Sequence, residues 1–345
     1  MYINYFVFLI SFAICLLIIL TKRWQKNITI DQITGIQKIH IEPTPRVGGL
    51  SVFIGVISAY IYFYSEKNYI LGPLILAGSI PFALGLAEDL TKRVSVSKRL
   101  IATILAAVVA WAVTGVSLTH IGVYFLDPLF KNQGISVLFT AIAIGGVSNA
   151  INVIDGLNGL ASSILMVALG TVSLIAYSVG DQSLALSAII ISSAVFGFFL
   201  LNWPWGKIFL GDGGAYFCGF ALSWSCVLLV ERNLTISPFC CLLVCIYPCT
   251  EILFSVYRRY KRSSITTRPD SYHMHSLIYR RYLKTKKQSI YENSIAGIAL
   301  GLFSLIPAMC AYYFKEDNLI CIILNLTFVV MYLIIYRRIV KFKWL

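Results

Sequence analysis

Long apolar runs separated by short polar stretches set the character of this chain. They occupy roughly residues 5–21, 47–64, 70–88, 99–115, 135–151, 159–179, 183–201, 213–230, 237–257, 294–314 and 317–336. Each is close to the length at which an α-helix, rising about 1.5 Å per residue, crosses about 30 Å of hydrocarbon. The pattern predicts an all-α fold: a polytopic integral membrane protein with about eleven transmembrane helices.

The positions of the charges then give the sidedness. The first run carries no charge and is followed at once by Lys22 and Arg23, the flank of a spanning helix whose N-terminus lies outside. A cleaved signal peptide fits less well, because no basic residue precedes the run and no small-residue cleavage site follows it. With the N-terminus outside, only Lys67, Lys131, Arg232 and Lys315 of the 28 Lys and Arg residues fall on the outer side. An omitted span would invert every later loop, so this bias supports the whole assignment. The C-terminus, from Arg337, is then cytoplasmic, and residues 1–345 form a single membrane-embedded domain. Its working face consists of the inner loops 22–46, 88–98, 152–158, 202–212 and 258–293. Among the outer loops only 116–134, with His120 and Asp127, is long enough to hold structure of its own.

Composition sharpens the exclusions. The chain is 58% hydrophobic and 12% charged, against about 25% charged in a soluble domain, which excludes a soluble globular protein. A net charge of +13 would ordinarily suggest nucleic acid. Here the basic residues flank apolar segments, so anionic lipid and phosphorylated substrates are the better partners. The nine cysteines all lie in apolar stretches with no Cys-x-x-Cys pair, and Cys241, Cys245 and Cys249 recur every four residues as packing positions on one helical face.

Polar groups at the inner ends of the spans are costly to desolvate and mark candidate chemistry. In NAINVIDGLNGLASS (149–163), Asn149, Asn152, Asp155 and Asn158 recur every third residue. On a straight helix that spacing drifts by about sixty degrees per step, so Asn149 and Asn152 share a face. Gly156 and Gly159 permit a turn that folds the later groups back towards the earlier ones. In GKIFLGDGGAYFCGF (206–220), glycines surround Asp212 just before a span, where helix N-terminal amides favour phosphate. With an amide oxygen such as that of Asn152, Asp212 makes a sparse oxygen site of the kind Mg²⁺ completes with water and substrate phosphates. Glu88 and Asp89 end the third span ahead of Lys92, Arg93, Lys98 and Arg99, and could hold metal, act as a base or pair with those cations. In RPDSYHMHSLIYRR (268–281), His273 and His275 are two apart, so an extended backbone presents both on one side. Phosphate contact suits them better than zinc, for which further ligands are missing. Glu251 alone lies clearly within a span, with Arg258 or Arg259 as its expected ion-pair partner.

Together PTPRVGG (43–49), EDLTKR (88–93), NAINVIDGLNG (149–159), FLGDGG (209–214) and PDSYHMH (269–275) make the chain resemble the polyprenyl-phosphate N-acetylhexosamine-1-phosphate transferases, the glycosyltransferase group 4 membrane enzymes. The resemblance implies transfer of an N-acetylhexosamine 1-phosphate from a UDP-sugar to undecaprenyl phosphate, with release of UMP, at the cytoplasmic face of the bacterial inner membrane. It implies Mg²⁺, with Mn²⁺ as an alternative, held by Asp212 and Asn152. It implies catalytic roles for Asp89, Glu88, Asp155, His273 and His275, and substrate binding by Asn149, Asn158, Phe209, Arg46 and Lys92. Within that set Asp89 would deprotonate or position the lipid phosphate, Asp155 and Asn158 would lie near the nucleoside, Phe209 would pack on uracil, and the histidines would contact phosphate. The chain departs from the family pattern at Glu88, at Ser276 in place of a last histidine, and at Asn158 where some members have Asp. The Glu-Asp-Leu-Thr-Lys wording is closer to members that start surface polysaccharides such as O-antigen.

The implied partners are a UDP-N-acetylhexosamine, undecaprenyl phosphate and the lipid bilayer, with no nucleic acid, and the chain is compatible with a homodimer. The readings that compete are a polytopic secondary transporter, a phospho-muramoyl-pentapeptide-type transferase of the same family, and an inactive scaffold of the same fold.

Overall fold

A computed structural model describes residues 2–25, 28–31, 43–62, 70–261, 272–285 and 289–341. The helices are α1 (Tyr2–Leu20), α2 (Gly49–Tyr62), α3 (Leu71–Thr91), α4 (Val96–Thr114), α5 (Gln133–Ile154), α6 (Leu160–Ser178), α7 (Gln182–Asn202), α8 (Gly211–Arg232), α9 (Pro238–Val244), α10 (Ile246–Lys261), α11 (Met274–Ile278), α12 (Ile290–Phe303), α13 (Leu305–Tyr313) and α14 (Asn318–Lys341). Two two-residue strands, β1 (Ile30–Asp31) and β2 (Thr44–Pro45), pair antiparallel. The chain is thus an all-α, multi-pass membrane protein.

Every predicted apolar segment coincides with a helix, with two differences. Among the described residues nine helices are long and apolar enough to cross a membrane, α12 and α13 counting together as one. The span expected over 237–257 is not continuous: α9 and α10 meet at 80°, and together they would make a tenth. Pro248 supplies the reason, since it has no N–H to give to the carbonyl one turn back, at Val244, where α9 ends. The segment expected over 47–64 is the 14-residue α2, about 21 Å of helix.

Burial follows the apolar pattern of each helix. On α1 the buried residues are Ile3, Val7, Ser11, Cys15 and Ile18, a single stripe at three- and four-residue spacing, while Tyr5, Leu9, Leu17 and Leu20 are exposed as lipid-facing positions require. α8 has no such stripe. Every residue from Gly211 to Val230 is buried, so α8 is the axis of the bundle, packed against α2, α3, α5, α6 and α7. Without a hydrophobic driving force between helices in lipid, close packing depends on small residues. At the crossing of α3 and α8 a Cβ on Gly85 would lie 2.6 Å from the Gly213 Cα, so the two backbones touch one turn before Asp89.

The connections at that end are tied together. Asn202 at the end of α7 accepts the Gly159 N–H at 2.6 Å and donates to the Ile208 carbonyl at 2.8 Å, joining the α5–α6 turn to the α7–α8 loop. The same loop extends the short strands: Phe209 N–H donates to the Pro45 carbonyl at 2.8 Å, and Gly48 and Gly49 N–H return to the Phe209 and Leu210 carbonyls. At the opposite end, Glu231 accepts from the Thr119 amide and hydroxyl, and Arg232 forks onto Asp181.

Candidate active site

The end of α3, the starts of α4 and α8, the end of α5 and the β2–α2 turn converge on one cluster of charge. Asp89 is buried at the end of α3, and its carboxylate accepts the first free amides of α8, Asp212 N–H and Gly213 N–H, each at 2.9 Å. It therefore caps that helix from a neighbouring element, satisfying donors that no intrahelical carbonyl can reach. A substrate phosphate is the expected occupant of those amides. In the structure a carboxylate of the protein takes them. Gly211 makes this possible: its φ is +76°, and a Cβ there would lie 2.7 Å from Asp89 Oδ2.

Asp212, on the first turn of α8, is held by three donors. Arg46 Nη2 lies 2.9 Å from Oδ1, Asn152 Nδ2 donates to the same oxygen at 2.7 Å, and Arg99 meets Oδ2. Arg46 Nε is also 3.2 Å from Asp89 Oδ1, so one guanidinium bridges both aspartates. Burial alone would lower the Arg46 pKa, but the carboxylates of Asp212, Asp89 and Asp31 reverse this and hold it charged. Arg99 is buried and also lies 5.5 Å over the ring of Tyr216, whose hydroxyl donates to Asn149 Oδ1 at 2.9 Å. Asn149 and Asn152 thus both face α8, as their shared helical face requires.

Asp155 follows the last residue of α5 and is half-buried beside this cluster. Burial, then the charge of Asp212, pushes its carboxyl up to about 7 against the opposing effects of Arg46 and the Gly211 N–H. Three carboxylates against two guanidiniums leave the cluster with excess negative charge when all are ionised.

Other predicted residues make contacts outside it, with His275 reaching its edge at Gly156. Glu88, about 100° round the helix from Asp89, accepts the Val94 N–H at 2.6 Å and secures the turn into α4. Lys92 is exposed, 3.9 Å from Asp31, in the left-handed conformation that ends α3. Asn158 does not fold back: its amide donates to the Ser294 hydroxyl at 3.2 Å and its N–H to Asn293 Oδ1 at 2.9 Å, which ties the turn to α12. Phe209 is half-buried in the loop before α8. His273 and His275 stack at 5.5 Å with parallel rings, and His275 Nε2 lies 2.9 Å from where a Cβ on Gly156 would stand, next to Asp155. Pro269, Asp270 and Ser271 of their motif lie outside the described residues.

Arg99, Tyr216 and Glu251 make contacts that the sequence pattern does not disclose. Arg99 counted as one of four cations after Glu88 and Asp89, and its signal is its place in the first turn of an apolar helix, where a charge must face protein. Glu251, expected to pair with Arg258 or Arg259, accepts instead from His273 Nδ1 at 3.0 Å. Arg258 goes to the Tyr272 carbonyl and the Tyr336 hydroxyl.

Residues 71–230, which contain Asp89, Arg99, Asn149, Asn152, Asp155 and Asp212, match the model of glycosyl transferase family 4. Over that stretch the chain is similar to members of the family. It is 28% identical over 242 residues, 69% of this chain, to a Bacillus subtilis protein named a probable undecaprenyl-phosphate N-acetylglucosaminyl 1-phosphate transferase, and spans 66% of that protein's length. It is 28% identical to a Yersinia pestis undecaprenyl-phosphate alpha-N-acetylglucosaminyl 1-phosphate transferase over 78% of this chain and 74% of the relative. With an Escherichia coli protein of the same name the identity is 24% over 95% of this chain and 88% of the relative.

Proposed function

We propose that this protein is a member of that family and transfers N-acetylglucosamine 1-phosphate, or a closely related N-acetylhexosamine 1-phosphate, from a UDP-sugar to undecaprenyl phosphate. UMP is released, and the lipid-linked product starts a surface polysaccharide. The observation that carries this reading is the meeting of Asp89, Asp155, Asp212, Arg46 and Arg99 at one end of the membrane bundle, within or beside the family-matched residues. The names of the relatives support the acceptor and the sugar. The Lys and Arg bias along the chain supports a cytoplasmic site, where nucleotide sugars are found.

The Asp212 carboxylate and the Asn152 amide oxygen suit a hard divalent cation, which would have to displace Arg46, Arg99 or the Asn152 Nδ2 from the Asp212 oxygens they hold here. Among the described residues no three His, Cys, Asp or Glu side chains are arranged to hold a metal. An ion held by one carboxylate and one amide would complete its coordination with water and substrate phosphates. Asp212 and Asn152 are the residues that would hold Mg²⁺ or Mn²⁺, which would supply neutralisation between two phosphate groups that otherwise repel.

The protein's own part is positioning and electrostatics. An oxygen of the lipid phosphate attacks the sugar-bearing phosphorus, and the bond from that phosphorus to the bridging oxygen breaks, so that the oxygen leaves with UMP. Arg46 and Arg99 offset the phosphate charge. Asp89, engaged by the α8 amides and Arg46, fixes Asp212 rather than moving a proton. Asp155, with its carboxyl near 7, is matched to accept the proton of a lipid phosphate whose second ionisation lies at about 6. Membranes containing the protein, Mg²⁺ and undecaprenyl phosphate, offered a panel of UDP-N-acetylhexosamines, should release UMP with UDP-N-acetylglucosamine or its 4-epimer. No acceptor-dependent release with any donor would refute the proposal. A phosphorylated enzyme trapped without acceptor would replace direct attack by a two-step route.

A further inference from the structure

Residues 115–132 join α4 to α5 at the end of the bundle opposite the aspartate cluster, where Thr119 meets Glu231 near the end of α8. They take no part in the chemistry above, yet they have a structure of their own. A short 3₁₀ helix, Asp127–Lys131, carries Phe130 edge-on against Phe139, with ring centroids 5.0 Å apart. Phe139 stands six residues beyond Gln133, the first residue of α5, or about 9 Å along the helix. Around it Ile135, Leu138 and Ile142 are exposed, which makes this the lipid-facing side of α5. The connection therefore folds back along the outside of the bundle. Beside that lipid-facing side it leaves Tyr124, Phe125 and Leu129 95%, 76% and 51% exposed.

The backbone of this segment is satisfied from within the protein. Leu118 N–H donates to the Thr140 hydroxyl at 2.8 Å and Thr119 N–H to Glu231 at 2.7 Å, and one oxygen of Asp127 takes the N–H of both Ile121 and Val123, at 2.8 and 3.4 Å. Asn318, at the start of α14, donates to the Gly122 carbonyl at 2.7 Å. A connection in water can leave such groups to the solvent, whereas at the edge of the hydrocarbon each one left open is costly. We propose that residues 121–131 form an interfacial segment, seated at the boundary between headgroups and acyl chains in the leaflet remote from the aspartate cluster. Phe125 and Leu129 enter the acyl region, the Tyr124 ring lies at headgroup level, and Lys131, exposed at the end of the short helix, meets headgroup phosphates. Aromatic rings concentrate at that boundary, helices lying in it bury one apolar face partway, and lysine reaches outwards to phosphate. None of this depends on the transfer reaction.

Spin labels introduced through Phe125→Cys and Leu129→Cys test the depth, in the full-length protein reconstituted into liposomes of phosphatidylethanolamine and phosphatidylglycerol. The nine native cysteines are buried or half-buried, so unsubstituted protein labelled in parallel gives the background. Arg93→Cys, exposed in the turn between α3 and α4, gives the aqueous reference. Collisions with oxygen, which concentrates in lipid, should exceed those with a water-soluble nickel chelate severalfold at positions 125 and 129, and the ratio should reverse at position 93. Asp127→Ala, which takes the acceptor from the Ile121 and Val123 amides, should move the label at 125 towards the aqueous ratio, while Asp127→Asn, which keeps an acceptor oxygen, should hold it in lipid. Labels at 125 and 129 as open to the nickel chelate as the one at 93 would overturn the proposal. Labels shielded from both reagents, with dipolar coupling between labelled chains, would overturn it in favour of a second copy of the protein on this surface. A ratio at 125 unchanged by Asp127→Ala would overturn the part given to Asp127 in holding the segment.

Discussion

Replacing Asp155 by asparagine removes one negative charge beside Asp212 and keeps the side-chain shape. Burial and Asp212 raise the Asp155 carboxyl from its ordinary 3.8 to about 7. A folded-state value above the unfolded one means that the folded protein binds this proton more tightly. The associated stability is complete below about pH 4 and is lost as pH rises through 7. About three units at about 1.4 kcal/mol each set an upper bound of about 4 kcal/mol. Discounting for the partly exposed carboxylate leaves about 1–2 kcal/mol at pH 8, or about 1–3 °C in thermal midpoint for a chain of this size. Asp155→Asn should therefore be more stable than wild type at pH 8, with the difference shrinking towards pH 5. The six tryptophans allow the midpoint to be followed by intrinsic fluorescence in detergent at both pH values. The same variant should lose most of its transfer activity, a gain in stability bought at the site's expense. A midpoint at pH 8 equal to or below wild type, or a difference that does not grow with pH, would refute the assignment of excess negative charge to this cluster.

Arg99→Met should reduce transfer at least tenfold and lower stability by about 3 kcal/mol, because it leaves the buried Asp212 Oδ2 without its cation, Arg46 and Asn152 holding only Oδ1, and removes the cation over Tyr216; turnover and thermal midpoint measured together check both. Gly85→Val should prevent α3 and α8 from meeting, since the new Cβ would stand 2.6 Å from the Gly213 Cα, and detergent-solubilised yield should fall sharply. Glu88→Gln, whose new amide can still accept the Val94 N–H through its oxygen, should keep activity within about threefold of wild type, and a loss comparable to that of Asp155→Asn would move Glu88 into the site.

The spans were legible because hydrocarbon leaves the backbone few options: a long apolar run without charges must be helical, and all eleven runs coincide with helices. The break between α9 and α10 was marked by Pro248, but a hydropathy window averages over a single missing N–H. The site was legible as far as its residues lie on one helical face, as with Asn149 and Asn152. Asn158 was not, because Ser294 and Asn293, its partners, stand 135 or more residues along the chain. The capping of α8 by Asp89 likewise depends on two helices touching at Gly85 and Gly213. For Glu251, nearness in sequence favoured Arg258, but helix direction and the return of the chain at His273 decided otherwise.

Sugar 1-phosphate transfer to a polyprenyl phosphate is the proposed work of the Asp212 cluster. Its most direct test is UMP released per enzyme in proteoliposomes containing undecaprenyl phosphate and Mg²⁺, wild type beside Asp212→Asn at equal reconstituted protein. Wild type should release UMP only when both UDP-N-acetylhexosamine and acceptor are present, and Asp212→Asn should fall to the no-enzyme background while remaining folded in the membrane. Acceptor-dependent release by Asp212→Asn at the wild-type rate would rule out that role for Asp212.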